Sequence, residues 1–304
     1  MLLRSKNMRT RQEYDIIFIG HVCYDEVIHQ DGLRTITTGG AALYGAVAAA
    51  STGKTIAALL KLAPEDQKDL DALKRCSVRV FTIDSRETTR VQVIHRSPNM
   101  DERQIITLKY AGLFKKDEIH DLPAGHIHLA GCNDHEFSLD FIKAIKQRGY
   151  PLSIDMQCFA RYNDPKTGEV TFNDDSDKKE VVSLMDKVKL DILEVKLLTG
   201  TDDVEKAAEI VESWGCPEVL ITRSDGALLR SGGKMYFEKF SNKNVYGRTG
   251  RGDTIFGAYL ARRVDHEPAE ALKFAAALVS IKMESPGPFS GTLEDVLNRV
   301  KESS

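Results

Sequence analysis

The stretch GRTGRGDTIFGAYLARR, Gly247–Arg263, places Gly247, Gly250 and Gly252 just ahead of Asp253, where an apolar-periodic segment begins. Ile255, Phe256, Tyr259 and Leu260 recur at helical spacing, so a helix starts near Asp253. Gly250 and Gly252 can take backbone angles closed to other residues, and successive N–H groups can then turn into one concavity. The positive end of the helix dipole adds to the same spot, which normally attracts an outside anion. Such a concavity suits a phosphoryl group, with Asp253 beside it to take the proton of an attacking hydroxyl. The plainer reading is that Asp253 only caps the helix, as Asp often does. A helix start also favours the ionised carboxylate, which makes Asp253 a weak base; a loose phosphoryl-transfer transition state demands little more.

Outward from this stretch, strands and helices alternate. YDIIFIG (14–20) is a short buried strand closed by glycine, TIAALLKL (55–62) a second and SVRVFTI (77–83) a third. HIHLAG and PLSIDMQ read as strands flanking the helix SLDFIKAIKQRG, and AALYGAVAAAS reads as a helix. PEDQKDLDALKRC is expected as one helix from Pro64, VVSLMDKV as a helix, LDILEV as a strand end and DDVEKAAEIVESWG as an amphipathic helix. PEVLITRSDGALLRSGGKMYFEKF gives a strand and an antiparallel pair, and helices Asp253–Val264 and Pro268–Lys282 follow. This alternation predicts an α/β fold, a doubly wound, mostly parallel sheet with helices on both faces. Two segments of half-polar alternation, near 25–38 around Asp31-Gly32 and near 88–110 around Pro98–Asp101, predict hairpins forming a small β lid. Residues 1–13 form a basic tail expected to be disordered, and 14–304 one domain.

Composition narrows the function. Net charge is −3 over 304 residues, so nothing attracts the whole chain to nucleic acid. No run reaches the roughly eighteen apolar residues of a membrane span. The five cysteines are scattered without C-x-x-C spacing, as expected of reduced thiols in a cytoplasmic protein. STGKT (51–55) lacks the first glycine of a phosphate-binding P-loop, which would fall on Ala48, and RGD (251–253) has no secretory signal to give it an adhesion role. His126 and His128 point to one face of a strand without a third ligand, so no metal site is expected there.

GRTGRGDTIFGAYL resembles the C-terminal signature of the PfkB, or ribokinase-like, family of sugar and nucleoside kinases. IIFIGHVCYDEVI, TTGGAALYGAVAAASTG, LDILEVKLLTG and VLITRSDGALL resemble further family segments in order, and the likeness runs from about Asp15 to Val300. IGHVCYD, DMQCFAR, GRTGRGD and KMESPGPF are most similar to the myo-inositol 3-kinase branch. The resemblance implies a ribokinase-like kinase using ATP and Mg2+ on a small polyol or sugar, with neither nucleic acid nor membrane as partner, as a monomer or homodimer. It implies Asp253 as catalytic base, with Gly250, Arg251 and Gly252 as the anion hole. Asp25, Gly39, Gly40, Gln157 and Arg161 would bind substrate. Thr222, Gly226, Thr249 and Gly287 would face the nucleotide, the SPGP turn closing the adenine pocket. Asp191 and Glu194, in place of the family's N-x-x-E, would act on magnesium through water. Departures are Arg251 for the family's alanine, Asp191 for its asparagine, and a nucleotide turn one residue short.

Overall fold

The computed structural model describes residues 13–95, 103–120, 122–132 and 136–302; the tail over 1–12 and the turn expected at Pro98–Asp101 lie outside the described residues. From the amino end come β1 (Tyr14–His21), β2 (Cys23–Ile28), β3 (Arg34–Gly39), α1 (Ala41–Ala50) and β4 (Ile56–Leu62). A 3₁₀ turn and the short α2 (Asp71–Arg75) lead to β5 (Arg79–Asp84), β6 (Thr89–His95), β7 (Arg103–Lys109) and β8 (Ala124–Leu129). The middle holds α3 (Leu139–Gln147), β9 (Leu152–Asp155), β10 (Arg161–Asn163), β11 (Val170–Phe172) and α4 (Lys178–Ser183). Next are β12 (Lys187–Asp191), α5 (Ile192–Thr199), α6 (Val204–Ser213), β13 (Glu218–Thr222), β14 (Gly226–Ser231) and β15 (Lys234–Lys239). Three helices finish the chain: α7 (Arg251–Arg262), α8 (Pro268–Met283) and α9 (Leu293–Glu302).

The main sheet has nine strands in the order β15-β14-β13-β12-β9-β8-β1-β4-β5. Pairing is parallel from β13 to β5, and β14 and β15 add an antiparallel edge. In β1, Ile16 and Phe18 pack into one core and Ile17 and Ile19 into the other, so strand alternation separates two apolar layers. α1, α7 and α8 line the first layer, and α3 to α6 the second. Among the described residues no helix is long and apolar enough to cross a membrane.

The two expected hairpins join edge to edge in a smaller sheet, β3-β2-β6-β7, with β2 and β6 parallel. A short hairpin of β10 and β11, which the sequence reading missed, adjoins it through a bridge between Ile106 and Glu169. Three other expectations change. Pro64–Cys76 is a 3₁₀ turn over Pro64–Asp69 followed by α2, broken at Leu70, so that Leu70 and Leu73 both bury. VVSLMDKV ends its helix at Ser183 and enters β12 at Lys187. LDILEV turns from strand to helix at Asp191, whose Oδ1 accepts the N–H groups of Leu193 and Glu194 at 2.9 Å each. Glu194 closes the capping box on the Asp191 N–H at 2.8 Å. The carboxy-terminal α9 also escaped the sequence reading, its apolar stripe being short and its mean composition polar.

α1 and α7 cross at small residues. A Cβ on Gly257 would lie 2.3 Å from the Gly45 carbonyl oxygen, and one on Gly45 would lie 2.8 Å from the Phe18 ring. The two helix backbones therefore touch without intervening side chains.

Candidate active site

After β1 the chain steps to β4 on one side, and β8 later returns to the other. Open α/β sheets bind ligands beyond the carboxyl ends of their strands at such a reversal. The segments leaving β1, β8, β9 and β12 at that end carry Asp25, Cys132, Gln157 and Arg161, and Asp191; α7 begins beside them.

Gly250 caps α7 in the left-handed region at φ 75°, and its carbonyl accepts the Thr254 N–H at 2.9 Å. Asp253 lies inside the first turn and is not the cap, so the plain capping reading fails. Gly252 has helical angles, contrary to expectation; what it requires is space, since a Cβ there would lie 3.1 Å from Lys189 Nζ. The Arg251 guanidinium lies 6.0 Å above the Phe240 ring. The Asp253 side chain is 16% exposed. Burial raises its pKa against the pull of Lys189, so Asp253 is a stronger base than a free aspartate rather than the weak one a helix start suggests.

Asp25 stands on β2, and burial pushes it up to about 6, with the Asp253 charge adding to the shift and the Cys23 thiol and Arg103 opposing it. Cys23 Sγ donates to Asp25 Oδ1 at 3.3 Å. Gly39 leaves room for this carboxylate, because a Cβ would sit 3.0 Å from Asp25 Oδ2 and 2.9 Å from the Tyr44 ring. Gly40 caps α1 at φ 103°, pressed against the His21 carbonyl. Tyr44, buried on α1, also blocks any Cβ on Gly250, at 2.5 Å from its ring. One ring thus packs under both glycine turns.

Beneath Asp253 runs a chain of buried charge. Lys189 Nζ lies 2.8 Å from Asp155 Oδ1 and 3.9 Å from Asp253 Oδ1. Asp155 lies 3.5 Å from His128 Nε2; His128 Nδ1 and His126 Nε2 share the Ser153 hydroxyl at 3.0 and 2.7 Å. Burial raises the Asp155 pKa, but Lys189 and His128 more than offset it and hold the carboxyl below its ordinary value. Arg161 Nη2 donates to Glu194 Oε1 at 3.0 Å and lies 3.9 Å from Asp191 Oδ2. Glu194 is fully buried with both oxygens engaged. Burial and the neighbouring Asp191 push it up to about 7 against Lys189 and Arg161.

Among the described residues no cluster of three or more His, Cys, Asp or Glu is arranged to hold a metal ion. The arrangement fits a hydrated Mg2+, which needs one or two carboxylates and takes its remaining oxygens from water and phosphate. Asp191, 26% exposed and with Oδ2 outside the capping box, is the carboxylate suited to it.

The remaining expected residues are dispersed. Gln157 is buried and donates to the Gly131 carbonyl at 2.8 Å. Thr222 is buried at the end of β13, its hydroxyl 3.4 Å from the Leu190 carbonyl, and Gly226 opens β14 against Glu238 and Phe237. Thr249 is exposed just ahead of the Gly250 turn, and Gly287 turns at φ 86° after α8. The sequence reading missed Tyr44, Lys189 and Lys282. Lys282 Nζ donates to the carbonyls of Gly247 and Thr249. Tyr44 lies within a quoted motif, but nothing in the sequence marks its ring as the shared support.

Comparison with known proteins gives the family and the fold. A cytidine kinase of Thermococcus kodakarensis is 27% identical over 264 residues, covering 84% of this chain and 91% of that protein. A 2-dehydro-3-deoxygalactonokinase of Haloferax volcanii is 32% identical over 121 residues, 39% of this chain and 38% of that protein. A pyrophosphate-dependent kinase of the ribokinase family, solved with a pyrophosphate analog and myo-inositol, is 29% identical with TM-score 0.85, covering 93% of this chain and 99% of the other. Arabidopsis thaliana ribokinase, 19% identical with TM-score 0.74 over 95% and 99% of the two chains, shares the fold. The pattern described as pfkB family carbohydrate kinase matches residues 9–295, and with the glycine-cradled Asp253 it makes this chain a PfkB-family kinase with the ribokinase-like fold.

Proposed function

We propose that this kinase transfers the γ-phosphoryl group of ATP, with Mg2+, to a hydroxyl of a small polyol or sugar, myo-inositol foremost. The carrying observation is the pair of carboxylates Asp25 and Asp253, both raised in pKa by burial, with the Asp253 charge reaching Asp25 and both charges reaching Tyr44, whose ring packs against Gly250. Asp253 takes the proton of the attacking hydroxyl as the phosphoryl group moves, and the N–H groups of Gly250 and Gly252 face its oxygens; the Arg251 N–H, expected to join them, is held by the Arg248 carbonyl at 3.2 Å. Asp25 and the Gly39–Gly40 turn orient the acceptor through its hydroxyls. Bound Mg2+ would neutralise donor phosphate charge, with Asp191 holding its hydrated shell. Thr222, Gly226, Thr249 and Gly287 border the donor, and Gln157 and Arg161 the acceptor.

The smaller sheet acts as a lid that excludes water over the acceptor. Arg103 on β7 is near enough for its charge to reach Asp25, which supports that role. Protection of this sheet from protease when donor and acceptor are both present tests it. A cytoplasmic location is part of this proposal, and the five free cysteines support it.

A second donor, inorganic pyrophosphate, is favoured by the 29% identical pyrophosphate-dependent kinase. A nucleoside acceptor is the alternative that the cytidine kinase relative supports. Product release is measured with ATP or pyrophosphate against myo-inositol, ribose, fructose, adenosine, cytidine and no acceptor. Turnover on myo-inositol with ATP, lost in Asp253→Asn, supports the first reading. Turnover with pyrophosphate alone replaces the donor, and turnover on a nucleoside alone replaces the acceptor. ATP binding without turnover on any acceptor would turn the reading toward a sensor.

A further inference from the structure

α8 ends beneath the glycine loop, and Lys282 in its last turn is 2% exposed. Its Nζ donates to the Gly247 carbonyl at 2.5 Å and to the Thr249 carbonyl, and lies 5.1 Å from the centre of the Tyr44 ring. Among the described residues no carboxylate forms an ion pair with it. An ammonium buried without a counter-charge is costly, and a methionine of similar length would fill the space without that cost. Two carbonyls and a ring face offset part of it.

The geometry of the peptide unit gives this contact a consequence. In a trans peptide the C=O of one residue and the N–H of the next point in opposite directions, and no peptide among the described residues is cis. Drawing the Thr249 carbonyl inward to Lys282 therefore turns the Gly250 N–H outward, and drawing in Gly247 does the same for Arg248. The loop is clamped from both sides: Gly247 N–H donates to the Met283 carbonyl at 2.8 Å, and Gly250 lies against Tyr44.

We infer that Lys282 is a positioning residue for phosphoryl transfer, a tethered cation whose grip on the Gly247 and Thr249 carbonyls aims the Arg248 and Gly250 N–H groups at the phosphoryl group. The inference rests on the reading that Gly250–Gly252 receive that group. Burial pushes the Lys282 ammonium down to about 8, with Asp253 pulling the other way, so an arriving phosphate adds to what keeps it charged.

The test is calorimetric binding of pyrophosphate and of ATP to the full chain, alongside thermal unfolding, for the wild type, Lys282→Met and Lys282→Ala. Each is measured in choline, potassium and ammonium chloride at equal ionic strength. Wild-type affinity should not depend on the choice among these salts. Lys282→Met should bind about tenfold or more weakly in all three, a loss of about 1.4 kcal/mol or more. Lys282→Ala should bind weakly in choline and recover in ammonium or potassium, because a small cation can take the vacated place between the carbonyls. Unchanged affinity in a folded Lys282→Met overturns the inference, as does a folded Lys282→Ala indifferent to the small cations. If Lys282→Ala does not fold, Lys282→Met decides. Failure of the wild type to bind either anion overturns the phosphoryl-site reading itself, and this inference with it.

Discussion

Replacing Gly250 by alanine tests the packing on which the proposed anion hole depends. At φ 75° an alanine pays about 1–2 kcal/mol for the left-handed conformation alone. Its Cβ would also lie 2.5 Å from two atoms of the Tyr44 ring, far inside contact distance. Tyr44 is 2% exposed and has little room to withdraw, so overpacking adds about 1–3 kcal/mol. The sum is about 2–5 kcal/mol. Gly53→Ala supplies the control, because Gly53 has φ 84° but nothing within 4 Å of the added carbon, leaving only the conformational part. The assay is urea unfolding of both variants beside the wild type, with initial rates of phosphoryl transfer. Gly250→Ala should be the less stable by about 1–3 kcal/mol and should lose most of its activity, while Gly53→Ala keeps its rate. Equal destabilisation of the two variants would refute the claim that Tyr44 is wedged against the loop. If the wedge is real, Gly250→Ala combined with Tyr44→Leu should lose less than the sum of the single changes.

Asp253→Asn should fold normally and lower kcat about 10²-fold or more, and near-normal turnover would end its assignment as the base. Burial raises Asp25 from 3.8 to about 6, so between these values the folded chain holds a proton that the unfolded chain has released, and wild-type stability falls as pH rises through that window. Asp25→Asn should therefore gain on the wild type across the window and keep its advantage above it while losing activity; parallel stability curves from pH titration of unfolding would contradict this. Asp155→Asn strands Lys189 without its 2.8 Å partner and should cost about 3–5 kcal/mol in urea unfolding, much of it recovered when Lys189→Met is added. No recovery in the double variant would mean that Asp155 acts through something other than the Lys189 charge.

Much of the architecture was legible because its signals are local. The apolar run of β1, the terminal glycine of α6 and the periodicity of α7 each lie within one short window of sequence. In LDILEV, Asp191 does end β12, but Ile192–Val195 belong to α5: the apolar run hides the switch, which the Asp191 side-chain bonds to the N–H groups of Leu193 and Glu194 make. The glycines single out Asp253 and the family resemblance, not the glycines, makes it the expected base; the helix dipole suggests a weak one, and burial reverses that expectation. Lys189 and Lys282 were invisible for a different reason. Lysines near apolar runs are usually solvated, and their partners at Asp155 and at Gly247 and Thr249 belong to other elements.

The contact between Gly45 and Gly257 sets a tolerance for the whole reaction. α1 begins at the turn proposed to hold the acceptor and α7 at the proposed anion hole, so the crossing behaves as a hinge pin with no side chain to compress. A change of acceptor within this architecture must then come from the strands that cover the site. On the proposed reading, the spacing between the two reactants is machined into the backbone.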